Sequence, residues 1–179
     1  MTDGDTNDTD GAHDEFDRHR RRVLWAMPTG LYVIGSRAGD EVNIMTANLV
    51  VQVCTEPKLV AVAIEHDALT MRLVRDGGAF SVSLLPRTDR TVVRHFAKPV
   101  VDVERSADGT VLTMSGHAVD EVGPHKLPVL ASAAGYLYCP ITRTEELGSH
   151  VLCIGEVVEV GGEPSEVLRM EDTRMHYGG

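Results

Sequence analysis

The residues from Thr46 to Asn48 carry the side chains best suited to hold a ligand. Thr46 offers a hydroxyl, Asn48 offers an amide, and Ala47 between them has almost no side chain. A ligand can therefore approach the backbone closely and still be hydrogen-bonded. We predict that this segment, which leads into a strand-like stretch, holds a flat, phosphorylated cofactor.

A second group of candidates surrounds the start of a helix predicted after Asp67. A helix N-terminus has free N–H groups and a partial positive charge, so it binds phosphate well. His66 stands just before this helix, and the hydroxyl of Thr70 in the first turn could bond to a phosphate oxygen. From the residues alone, a solvated strand end for His66 and an ordinary surface threonine for Thr70 stay open as alternatives.

His150 is the third candidate, because it follows Gly148-Ser149 and opens a long apolar stretch. A histidine at the mouth of a strand can bond to or stack on a ligand, or it can be a rim residue bonded within the protein. The sequence has no G-x-S-x-G, P-loop, H-E-x-x-H or strand-linked G-x-G-x-x-G motif. Serine-triad hydrolysis, P-loop phosphoryl transfer and zinc peptidase chemistry thus lack their usual residues.

Composition restricts the class of protein further. The 179 residues suit one domain, and the net charge of -10 argues against nucleic acid as a partner. No run approaches the ~18 apolar residues of a membrane span, and no secretory signal is visible. We expect a disordered acidic tail over residues 1–14 and a single domain over residues 15–179.

The three cysteines, Cys54, Cys139 and Cys153, show neither a C-x-x-C pair nor zinc spacing. We therefore predict no metal site, reduced thiols and a cytoplasmic location. Cys54 and Cys153 are expected to fill core space as small apolar groups.

The pattern of apolar residues predicts a mainly β protein with a few short helices. Helices are predicted from Phe16 to before Pro28, over residues 68–76 with Asp67 as the cap and Gly77-Gly78 as the stop, and over residues 88–97. Strands are predicted at 31–34, within 44–54, and at 59–64, 80–84, 111–114, 116–122, 130–137 and 151–160. Residues 80–84 alternate in polarity, which predicts a half-buried strand. A closed or half-closed antiparallel barrel with outer helices accounts for this order.

The order and spacing of these segments resemble the flavin reductase-like, FMN-binding split-barrel proteins over roughly residues 22–160. The residues that carry the resemblance are Met27-Pro28-Thr29-Gly30, Met45-Thr46-Ala47-Asn48, Gln52-Val53, Glu56-Pro57 to Val60, Thr70 to Phe80, Gly148-Ser149-His150 and Ile154-Gly155-Glu156-Val157.

The resemblance implies a split β-barrel homodimer that binds FMN, or FAD, near the subunit interface. It further implies an NAD(P)H-dependent flavin reductase, of the kind that supplies reduced flavin to a separate monooxygenase. Residue by residue, it places Thr46, Ala47, Asn48, Gln52 and Cys54 at the flavin, Thr70 at the phosphate, and His150 where it positions flavin and nicotinamide.

Two positions depart from the family pattern. The family often has Gly-Asp-His, and Ser149 here removes the carboxylate that would orient His150. This departure motivates an alternative, a non-enzymatic protein that binds FMN, haem or a deazaflavin for electron transfer or sensing. A third interpretation is an oxygenase or degradative enzyme that uses bound flavin directly.

The other departure is Ala68, which replaces a frequent serine and removes a phosphate hydrogen bond of about 1.5–3 kcal/mol. The nicotinamide donor is left open by the sequence. A basic partner for the 2′-phosphate of NADPH could be Arg37, Arg72, Arg75 or Arg143.

Overall fold

The computed structural model describes residues 7–163 and 165–173, which form mainly antiparallel β-structure. The helices are α1 (Asn7–Trp25), α2 (Leu69–Gly77), α3 (Val92–His95) and a short 3-10 helix at Met170–Asp172. The strands are β1 (Tyr32–Ala38), β2 (Glu41–Ala47), β3 (Val50–Thr55), β4 (Lys58–Glu65), β5 (Ala79–Leu84), β6 (Val103–Arg105), β7 (Val111–Met114), β8 (His117–Val122), β9 (Leu127–Leu130), β10 (Gly135–Leu147), β11 (His150–Glu156) and β12 (Glu159–Gly161). The predicted mainly β fold class is confirmed.

The strands form two sheets. The large sheet has the order β2-β1-β5-β10-β11-β4-β3, with β12 paired to β10, and the small sheet has the order β6-β7-β8-β9. All the pairings are antiparallel. In the described pairing, β2 and β3 stand at the two ends of the large sheet.

Strand β10 joins the two halves of the large sheet. Its first part, from Gly135 to Pro140, pairs with β5, and its second part, from Ile141 to Leu147, pairs with β11. The register shifts between Ile141 and Arg143. An extra residue at such a bulge bends a strand, so β10 can turn from one partner to the other.

A glycine in β1 allows the two sheets to approach closely where β1 crosses β9. A Cβ added at Gly35 would lie 2.0 Å from the carbonyl oxygen of Pro128, which leaves no room for a side chain. The hydroxyl of Ser81 donates to the same oxygen at 2.7 Å. The small sheet thereby covers the outer face of β1 and β5.

Two main apolar clusters fill the interior. One lies between β1, β2, the small sheet and α3, and it includes Leu31, Val93 and Phe96. The other lies between the large sheet and α2, whose Met71, Leu73 and Val74 are fully buried. The predicted stop of this helix is confirmed, because Gly78 adopts φ 74° and its N–H bonds to the carbonyl of Val74.

Several predicted elements differ from the structure because tertiary contacts override local pattern. Strand β5 is buried on both faces, since the small sheet covers Ser81 and Ser83 and bonds to their hydroxyls. The helix predicted at 88–97 shrinks to α3, because residues 86–89 form a turn and the N–H of Arg87 pairs with Glu166.

Other boundaries moved as well. The predicted strand 130–137 is two strands separated by a turn at Ala133, and the predicted strand 151–160 divides into β11 and β12. Strand β1 runs past its predicted end to Ala38, so the hairpin turn is confined to residues 39–40. The N-cap of α2 is Ala68 without a side-chain bond, and not Asp67, whose carboxylate contacts His66 instead.

The acidic N-terminus also differs from its prediction. Helix α1 begins at Asn7, inside the segment 1–14 expected to be disordered, while residues 1–6 lie outside the described residues. The low apolar content of this segment means that it cannot form a core, but it does not prevent a helix whose side chains lie in solvent. The described side chains of α1 are mostly exposed. Asp17 pairs with Arg20 and Arg21 one turn later, which supports such a helix. None of the helices in the described ranges has the length and apolar character needed to cross a membrane.

Candidate functional site

Two turns meet at one end of the large sheet and form a groove. Glu65, the last residue of β4, pairs with His150, the first residue of β11. The N–H of His66 donates to the carbonyl oxygen of Ser149 at 3.0 Å, which holds the two turns together. The groove has a volume of about 580 Å³ and is lined by Glu65, His66, Asp67, Gly148, Ser149 and His150.

His150 is held by its neighbour in sequence. Its side chain is half-buried, and Nδ1 lies 2.9 Å from the hydroxyl of Ser149. Within the described residues, Nε2 has no hydrogen-bond partner and is left for a ligand. Ser149 therefore contacts the ring directly, so the Gly-Ser-His departure retains a group that can orient His150.

His66 lies between two carboxylates on the other wall of the groove. Its Nδ1 is 3.2 Å from Asp67 Oδ1, and its Nε2 is 3.7 Å from Glu146 Oε2. The other oxygen of Glu146 is 3.2 Å from the guanidinium of Arg75 on α2. Sequence reasoning missed Glu146, although a turn at Gly148-Ser149 pairs Leu147 with His150 and so brings Glu146 to this edge.

The Thr46–Asn48 segment reaches the same end of the sheet. The N–H of Ala63 donates to the carbonyl of Leu49 at 3.0 Å, which places Asn48 beside the last residues of β4. Asn48 is half-buried, and its side-chain amide has no bond to the rest of the described chain. Ala47 is 9% exposed and packs in the apolar cluster between the large sheet and α2, so its contact with a flavin stays a prediction.

Thr46 has a structural role. Its hydroxyl donates to the carbonyl oxygen of Val93 at 2.8 Å, and its N–H donates to that of Phe96 at 2.9 Å. These two bonds attach α3 to the end of β2. The side chain is 7% exposed, so a direct contact between Thr46 and a flavin stays a prediction.

The structure does not support the direct phosphate contact predicted for Thr70. This side chain is 1% exposed, and its hydroxyl accepts a bond of 2.9 Å from the amide of Asn43. The side-chain oxygen Oδ1 of Asn43 in turn accepts from the N–H of Val100. A phosphate at the start of α2 would instead meet the backbone N–H groups of Leu69 and Thr70, because those of Ala68 and Met71 already donate to the carbonyls of Glu65 and Ala68.

Gln52 and Cys54 do not line the groove. Both lie on β3, where the amide of Gln52 donates to the carbonyl of Cys54. Cys54 pairs with Leu59, at the opposite end of β4 from Glu65, so it lies roughly 20 Å along the sheet from the groove. Their contact with a flavin stays a prediction.

The cysteines differ in exposure. Burial raises the pKa of the Cys139 thiol to about 12 and that of the Cys153 thiol to about 11, so both stay protonated at neutral pH. Cys153 fills core space as predicted, beside Met71. The prediction was wrong for Cys54, which is half-exposed because β3 is an edge strand.

The groove suits a flavin in size and in donors. Its volume falls within the range of about 300–1,000 Å³ that is usual for small-molecule sites. His150 Nε2 and the amide of Asn48 are available to ring carbonyls and nitrogens, and the start of α2 offers N–H groups to a phosphate.

Comparison with known proteins gives a consistent result. Residues 24–178 match the sequence profile described as "Flavin reductase like domain". An NADH-dependent FAD reductase of Streptomyces globisporus is 32% identical over 142 residues, which cover 77% of this chain and 72% of the relative. The reductase component of 4-hydroxyphenylacetate 3-monooxygenase of Thermus thermophilus is 32% identical over 145 residues, or 80% of this chain and 85% of the relative.

Solved structures agree with these relatives. The NADH:FAD oxidoreductase of Streptomyces globisporus superimposes with a TM-score of 0.73 at 26% identity, covering 92% of this chain and 89% of that chain. The same oxidoreductase in complex with NAD and FAD fragments gives a TM-score of 0.71 at 28% identity, covering 87% of this chain and 88% of that one. Together with the profile match over most of its length, these similarities establish that the chain belongs to the flavin reductase-like family.

Proposed function

We propose that this protein is an NADH-dependent flavin reductase that supplies reduced flavin to a separate monooxygenase. The observation that carries the proposal is the groove in which Ser149 orients His150 and leaves Nε2 available. The names of the relatives support NADH as the donor, and the 4-hydroxyphenylacetate system supports a monooxygenase partner.

FMN, or FAD, is the proposed flavin. When bound, it supplies the redox chemistry by taking up a hydride from the nicotinamide and carrying the electrons away. His150 Nε2 would hold the nicotinamide or the flavin ring in place, and the amide of Asn48 would offer the flavin a hydrogen bond. The start of α2 holds the phosphate through backbone N–H groups. The protein thus contributes position and electrostatics, and no residue has to act as a strong acid.

Steady-state turnover tests this proposal. With FMN or FAD added, we expect NADH oxidation at 340 nm with kcat of about 1–1,000 s⁻¹, the common range for enzymes. NADPH serves as the alternative donor, and flavin without protein serves as the blank. A protein that binds FMN but accelerates the oxidation of neither donor would overturn the reductase proposal and point to an electron-transfer or sensor role.

We further propose that the protein is a homodimer. Strand β3 ends the large sheet in the described pairing, so its outer edge lacks a neighbouring strand. Leu49, just before this strand, is 42% exposed, and Val51 and Val53 within it are 59% and 50% exposed. An exposed apolar edge strand favours association with another chain, and a second copy would cover it.

Light scattering tests the dimer. We expect the mass of two chains at micromolar concentration, and Val51→Lys should shift the protein toward the mass of one chain because a charge in an apolar interface is costly. Val101→Lys, at a side chain that is 95% exposed, is the matched control. A wild-type protein with the mass of one chain would contradict the proposal.

We also propose a cytoplasmic location. The three free cysteines support it, because disulfides are uncommon in that compartment. Fractionation of the source cells would test it, and recovery with the secreted proteins would contradict it.

A further inference from the structure

The four arginines considered for the 2′-phosphate of NADPH all have carboxylate partners. Arg72 lies 2.6 Å from Glu41, Arg75 lies 3.2 Å from Glu146, Arg143 lies 2.8 Å from Glu145, and Arg37 pairs with Glu121. Each guanidinium therefore already has a carboxylate beside it before a nucleotide binds.

Only one of these four pairs contacts a residue that lines the groove. Glu146 contacts Arg75 through Oε1 and faces Nε2 of His66, which lines the groove, through Oε2. Arg37 is instead enclosed between β1 and β8. Arg72 pairs with the first residue of β2, and Arg143 pairs along its own strand. Of the four arginines, Arg75 is therefore the one that can contact a nucleotide on the side of the groove that His66 lines.

Carboxylates surround His66 on this side of the groove. Glu65 and Asp67 line the groove, and Glu146 stands behind His66. With the flavin and the nicotinamide placed in the groove, the adenosine half of the donor would extend beyond it, toward the residues that surround His66. A 2′-phosphate at the rim of the groove would face carboxylates rather than a free guanidinium.

We infer that Glu146 is a specificity-determining residue, which selects a nicotinamide donor without a 2′-phosphate by neutralising Arg75 at the rim of the groove. The inference rests on the proposed reductase function and names the residue behind the choice of donor. Both partners are more than half exposed, at 52% for Arg75 and 63% for Glu146, so changes at either leave the core intact.

The test compares kcat/KM for NADH and for NADPH at saturating FMN in the wild type and in Glu146→Gln. Glutamine keeps the shape and removes the negative charge. We expect the NADPH/NADH ratio to rise roughly fivefold, the upper range for an exposed charge pair. The rise should shrink in 0.5 M salt, because exposed charges are screened over a few ångströms there. In the double variant Glu146→Gln/Arg75→Gln, the NADPH/NADH ratio should return to the value of the wild type.

Glu145→Gln is the matched control, since Glu145 pairs with Arg143 on the same strand, whereas Glu146 faces the groove-lining His66. A ratio that changes less than twofold in Glu146→Gln, or a gain that survives the loss of Arg75, would overturn the inference while leaving the reductase function intact. A wild-type protein that oxidises neither donor would refute both, and this outcome differs visibly from an unchanged ratio.

Discussion

Replacing His150 with alanine is expected to lower kcat/KM for NADH oxidation by about 10- to 100-fold. The ring stands at the groove with Nδ1 fixed by Ser149 and with Nε2 available. Loss of a group that holds two reacting rings in alignment costs rate, because a displacement of about 1 Å can lower a rate by about 100-fold. Steady-state kinetics at saturating FMN, with kcat and KM resolved, measure the effect.

Two further variants make the result specific. Ser149→Ala retains the ring but removes its orienting hydroxyl, so a smaller loss of about fivefold is expected for one hydrogen bond. His19→Ala, an exposed histidine on α1, should leave kcat/KM within twofold. If His150→Ala also stays within twofold of the wild type, His150 has no part in positioning either ring.

Replacing Leu168 with alanine is expected to lower the free energy of unfolding by about 3–5 kcal/mol, as buried Leu→Ala changes do when a cavity remains. Leu168 is 0% exposed and packs in the cluster of Leu31 and Phe96. Its backbone bonds to Leu31 and Leu85 at 3.0 and 2.8 Å, so the segment is pinned and the cavity closes poorly. Urea unfolding followed by circular dichroism measures the change.

Leu112→Ala provides the matched control, because Leu112 on β7 is 48% exposed. This change should cost less than about 1 kcal/mol, since it leaves no enclosed cavity. Equal midpoints for Leu168→Ala and the wild type would mean that residues 166–173 do not pack on β1 and β5 in solution.

The sequence predicts best those motifs whose residues are close together along the chain. Gly148-Ser149 makes the turn that presents His150, and a tight turn between two strands sets its own register. His66 was correctly placed at a strand end before a helix, and it lines the groove. In each case the chemistry depends on residues that are neighbours in sequence.

Thr70 shows where this reasoning failed. Its place in the first turn of α2 was predicted closely, but the direction of its side chain depends on which face of the helix packs on β2. Asn43, far away in sequence, bonds to its hydroxyl and turns it inward. The sequence pattern of a single helix does not show whether its threonine bonds to a buried partner or contacts a ligand at the surface.

The sequence by itself determined the mainly β fold class, the stop of helix α2 at Gly77-Gly78, and the motifs that mark the flavin reductase-like family. Tertiary structure alone decided that the turns after β4 and before β11 share one groove, that Glu146 stands between Arg75 and His66, and that Leu168 is core. The physical reason is the distance along the chain over which each interaction acts. Turn preferences and the spacing of apolar residues depend on a few neighbouring residues. Strand pairing and helix packing join residues that are far apart in sequence, and the local sequence does not show which residues these are.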